Sequence, residues 1–123
     1  MVDYREAIMK LQLSRVIIFT SKMKEMSAFY GKQLGLTPRI DPKIDPSEWI
    51  EFGSGATRIA LHKAGGRGGC AHKLVFYAKD VANARAALIR KKFKMGPVKK
   101  FGSLVMCDGI DPAGNRIQIS NRK

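Results

Sequence analysis

Short apolar runs and helical-period stripes follow one another twice along the chain. Val16 to Thr20 reads as an apolar strand, and the polar Ser21 after it suits a helix start. Met23, Met26, Tyr30 and Leu34 then recur at helical spacing until Gly35 stops them. Leu74 to Ala78 reads as a second strand, with Asp80 as a helix cap, Val81, Ala84 and Leu88 as a buried stripe, and Gly96 and Pro97 as the stop. Each helix is followed by short strand candidates separated by turn residues. In the first half these are Leu36 to Ile40, Trp49 to Phe52 and Thr57 to His62; in the second, Pro97 to Lys100, Leu104 to Cys107 and Asn115 to Ser120.

The halves superpose at a constant offset of 58 residues: Arg15 falls on Lys73, Val16 on Leu74, Phe19 on Tyr77, Ile59 on Ile117 and Leu61 on Ile119. That is the pattern of a duplicated β-α-β-β-β module, spanning 11–62 and 71–121, with the glycine-rich stretch 63–70 as linker. One module has a sheet face it cannot cover alone, so two must pair, within a chain or between chains, and enclose a concavity. Residues 1–123 therefore read as a single domain of α+β class.

Charge changes the picture more than composition does. Among 123 residues, 23 Lys and Arg against 10 Asp and Glu leave +13, a surface that attracts anions. The bases are scattered, and Arg90, Lys91 and Lys92 fall where a helix ends, complementing its C-terminus. A nucleic-acid partner is thus possible but not favoured. No apolar run is long enough to span a bilayer, and MVDYREAIMK lacks the apolar core of a signal peptide, so a cytoplasmic protein without membrane association is expected. Cys70 and Cys107 lack zinc or redox spacing and read as plain thiols.

SRVIIFTSKMKEMSAFYGKQLGL, WIEFGSGATRIALH and DPAGNRIQI, in that order around the repeat, resemble the opening, the first-module end and the closing signature of the vicinal oxygen chelate superfamily. That superfamily includes glyoxalase I, extradiol dioxygenases and the fosfomycin and bleomycin resistance proteins. The resemblance covers Leu11 to Asn121 and implies the glyoxalase/bleomycin resistance/dioxygenase fold, a curved mixed sheet around a cavity. The two modules either close on each other in one chain or exchange across a homodimer, as many relatives do, and the short linker slightly favours the homodimer.

In metal-using members each module supplies one ligand from its first strand and one from its last. Those positions fall here on Arg15, Ala60, Lys73 and Gln118, which cannot hold a divalent ion, so neither metal nor other cofactor is expected. A one-residue register slip would bring His72 to a ligand position, at the expense of turning Leu74 and Phe76 toward the cavity. Period-2 alternation puts Arg15, Ile17, Phe19, Arg58, Ala60, His62, Lys73, Val75, Tyr77, Arg116, Gln118 and Ser120 on the concave face. From these, Arg15, Phe19, Arg58, His62, Lys73, Tyr77 and Gln118 are the candidate ligand-binding residues. They suit a small anionic organic molecule whose carboxylate or phosphate meets Arg15 and Lys73. The competing expectation is that the bases point outward or pair with Glu51 and Asp108.

Three functions compete. The first is a metal-free binding protein that sequesters such an anion; bleomycin itself is cationic and a poor ligand for a +13 chain. The second is a metal-dependent lyase, isomerase or dioxygenase, as the resemblance alone would imply. The third is a polyanion binder driven by charge. A metal-free acid–base enzyme using Glu51, His62 or Tyr77 also remains open, although no nucleophile, base and orienting group are visibly assembled.

Overall fold

The computed structural model describes residues 2–64, 71–110, 112 and 115–123. Asp111, Ala113 and Gly114 of the closing signature, Cys70 and most of the glycine-rich linker lie outside the described residues. The linker's first residue, Lys63, belongs to a strand. Eight strands and two helices give an α+β fold in which β-α-β-β-β occurs twice: β1 (Gln12–Thr20), α1 (Met23–Ala28), β2 (Thr37–Arg39), β3 (Trp49–Ser54), β4 (Thr57–Lys63), then β5 (Ala71–Tyr77), α2 (Val81–Arg90), β6 (Lys99–Phe101), β7 (Leu104–Ile110), β8 (Arg116–Ser120). A 3-10 turn, Tyr4–Glu6, precedes them. No helix among the described residues is long and apolar enough to cross a membrane.

The chain divides into two compact units, Ser14–Leu74 on one hand and Met1–Leu13 with Val75–Lys123 on the other. In the Ser14–Leu74 unit the strands run in the order β2-β3-β4-β1, β1 parallel to β4 and the other neighbours antiparallel. Alternation gives this sheet two faces. Ile18, Phe52 and Leu61 occupy one and are buried with Met23, while Met26 and Tyr30 pack against them. Those three helical positions at 23, 26 and 30 are the stripe that the spacing predicts. The element changes character midway, because a π-helical turn, Phe29–Gln33, carries α1 on to Leu34.

In the other unit β5, β8, β7 and β6 lie side by side. α2 begins where Asp80 caps it, the carboxylate accepting a hydrogen bond from the Asn83 amide at 3.0 Å. Its Val81 and Ala84 join Ala78, Cys107 and Ile119 in a second core, flanked by Met9 and Leu11. Cys107 is fully buried, and burial pushes its thiol pKa up, which keeps it an inert apolar side chain. Leu61 and Ile119, superposed by the repeat, are both fully buried at equivalent places in the two cores.

Candidate functional site

On the sheet face of the Ser14–Leu74 unit opposite its core, the β1–β4 register sets Ile17 beside Ala60 and Phe19 beside His62. The β3–β4 register sets Glu51 beside Ala60 and Trp49 beside His62. Arg15 stands one alternation before Ile17, and its Nε lies 3.0 Å from Glu51 Oε1 with the two side chains only 2% and 9% exposed. A charge pair so deeply desolvated is held by mutual neutralisation. The centre of the face is therefore an ion pair beside the fully buried Ala60.

Toward the end of the strands the face becomes aromatic. The Phe19 and His62 ring centroids are 5.4 Å apart, and Trp49 meets His62 edge-on at 5.3 Å. Lys73 Nζ lies over the Phe19 ring, 5.7 Å from its centroid. Partial desolvation lowers the pKa of the exposed His62 and repulsion from Lys73 lowers it further, with Glu48 opposing, so the imidazole is mostly neutral at pH 7. The assembly is a platform of three rings with a primary ammonium at its edge.

In the second unit Gln118 is buried, and its amide Nε2 donates to Asp108 Oδ1 at 3.1 Å while lying 3.3 Å from Met106 Sδ. Asp108 is the residue directly across from it in the β7–β8 ladder. Tyr77 is half-buried beneath the ammonium of Lys123, 5.3 Å from its ring centroid. Arg58 is half-buried on β4, paired with Gly53 of β3.

The four positions where the resemblance would place metal ligands do not suit a divalent ion. Arg15 is a permanently protonated donor engaged with Glu51, Ala60 has no donor atom, Lys73 faces a ring, and Gln118 turns its NH₂ group to a carboxylate. Among the described residues no three His, Cys, Asp or Glu side chains gather as a metal site. His72 is exposed and Val75 fully buried.

Phe19, His62 and Lys73 of the candidate residues thus come together, Arg15 is drawn to Glu51 instead, and Tyr77 and Gln118 make separate local contacts in the other unit. Trp49 escaped the sequence reading although it lies in a predicted strand. Pairing the strand that holds it with Thr57 to His62 as a hairpin would have put Trp49 opposite His62 and Glu51 opposite Ala60.

No family model matches the sequence, and no curated protein matches it. Solved structures do. A glyoxalase/bleomycin resistance protein/dioxygenase superfamily member from Vibrio splendidus is 8% identical over 90% of this chain and 98% of its own, with a TM-score of 0.69. A hypothetical protein from Bacillus halodurans is 12% identical over 94% and 96%, with a TM-score of 0.73. A 2,3-dioxygenase from Pseudomonas sp. KL28 is 17% identical over 89% of this chain but only 41% of its own length, with a TM-score of 0.64. The arrangement of strands and helices built by this sequence is that of the glyoxalase/bleomycin resistance/dioxygenase superfamily, the vicinal oxygen chelate fold.

Proposed function

We propose that the chain is a metal-independent binding protein on a glyoxalase-type scaffold, and that its ligand is a small planar organic anion such as an aromatic carboxylate. The observation that carries this reading is the Trp49–His62–Phe19 platform with Lys73 at its edge. A flat ring gains offset or edge contacts with three aromatic groups, about 0.5–1.5 kcal/mol per pair beyond its burial. The ammonium of Lys73, already drawn to a π face, meets a carboxylate at the rim with a charge-assisted hydrogen bond. A neutral His62 supplies one donor and one acceptor without competing for the charge. The net charge of +13 draws anions toward the protein but does not select among them.

Arg15 supports this function by a different route from the carboxylate contact expected of it. Held by Glu51 at 3.0 Å, it fills the middle of the face with a neutral pair. The test is a thermal-shift series with benzoate, cyclohexanecarboxylate and inorganic phosphate on the protein and on Lys73→Ala. Benzoate should raise Tm in a dose-dependent way, the saturated ring less so, and Lys73→Ala should remove most of the gain. An absent shift, or one untouched by Lys73→Ala, contradicts the reading.

A further inference from the structure

The unit formed by Met1–Leu13 and Val75–Lys123 contains a cavity of about 590 Å³, distinct in its residues from the aromatic platform. Such a volume is within the range of small-molecule sites, roughly 300–1,000 Å³. One side is a single face of α2: positions 80, 83, 84, 87 and 90 of its lining recur at helical spacing. The other is the extended segment 8–12, whose Met9 and Leu11 also pack on the core below. Ala84 and Ala87 on the helix leave the floor shallow and apolar, because neither projects beyond its Cβ.

Charge gives the trough a direction. Asp80 lies at the start of α2, where its carboxylate is engaged in capping, and Arg90 closes the helix about 15 Å away along its axis. Lys79 stands next to Asp80 in the chain and offsets its charge at that end, Lys10 sits on the opposite segment, and the lining holds no acid near Arg90. Apolar groups of Ile8, Met9, Leu11, Ala84 and Ala87 between polar ends, with Arg90 at the end of the helix, match an elongated molecule with one anionic end.

We propose that this trough binds a medium-chain monocarboxylate, its alkyl chain lying along Ala84 and Ala87 and its carboxylate held by Arg90. Dispersion and desolvation of the chain supply affinity, while the guanidinium fork orients the head. The site stands apart from the function proposed above and does not depend on it.

Isothermal titration of the whole protein with decanoate, 1-decanol and butyrate, below any micelle concentration, tests the proposal. Decanoate should bind with one-to-one stoichiometry, and 1-decanol and butyrate at least tenfold more weakly. Ala87→Trp fills the trough from the half-buried helix position that lines it, and Arg90→Gln removes the head contact; each should weaken decanoate at least tenfold with the circular dichroism spectrum unchanged. Lys73→Ala should leave decanoate binding intact, and Ala87→Trp should leave benzoate binding intact. No decanoate binding, binding indifferent to Ala87→Trp, or binding lost in Lys73→Ala would overturn the assignment.

Discussion

Arg15 and Glu51 are worth more to this molecule as a pair than either is alone. Removing one charge leaves the other buried in a site with almost no solvent contact. Glu51→Gln or Arg15→Met should each cost about 3–5 kcal/mol in urea unfolding, whereas the double substitution to apolar residues of similar volume should cost little or even stabilise. A double-mutant cycle in which the two losses simply add would show that the pair is not coupled. His62 makes a second prediction at the same scale. Its folded pKa is below the ordinary 6.5, so the unfolded chain binds the proton more readily. Stability from this residue is therefore complete above about pH 6.5 and declines as pH falls below it, with the loss levelling off under the folded-state pKa. His62→Gln should flatten that part of the pH–stability profile relative to the parent protein, and a profile steepened by the substitution would mean that His62 is stabilised as the cation instead.

At the scale of elements, side-chain size matters at the joint between residues 94–96 and β7. Gly96 N donates to Asp108 O at 2.6 Å and Ile110 N to Lys94 O at 3.3 Å, and Met95 bridges to Gly109. A Cβ on Gly109 would run into the Met95 side chain and stand 2.7 Å from the Lys94 carbonyl oxygen. Gly109→Ala should thus destabilise by about 1–3 kcal/mol, the range for overpacking. Gly53→Ala is the control, because a Cβ there meets only Arg39 Cδ at 3.9 Å, and it should be neutral or stabilising by up to about 1 kcal/mol. Equal losses at the two glycines would place the constraint in backbone freedom rather than in contact. The strands and helices around these joints were legible because period 2 and the 23–26–30 stripe are local signals, as was the Asp80 cap. β1 begins earlier than its apolar run, at Gln12, since backbone pairing extends a strand past the residues that need burial. The partners on the site face were only partly read: Glu51 was among the acids expected to meet the bases, whereas its pairing with Arg15 in particular, and the contact of Trp49 with His62, depend on a register between strands that no single run of residues encodes. The trough beside α2 was not legible either, because its far wall comes from segment 8–12, more than sixty residues away in the chain.

For the whole molecule, the fold is shared with a dioxygenase and with proteins of no stated activity, so fold alone does not choose among chemistries. The choice rests on what this chain places at the familiar positions: an ion pair, an alanine, a lysine over a ring and an amide bound to Asp108. The high positive charge acts at longer range, raising the local concentration of any anion and making its capture weaken with salt. The central claim is that an organic anion binds at the aromatic platform without a metal ion. Isothermal titration of benzoate into protein exhaustively treated with chelator tests it most directly. The account predicts the same affinity before and after chelation and at least a tenfold loss in Lys73→Ala; binding that disappears with the chelator and returns on adding zinc, nickel, manganese or iron would contradict it.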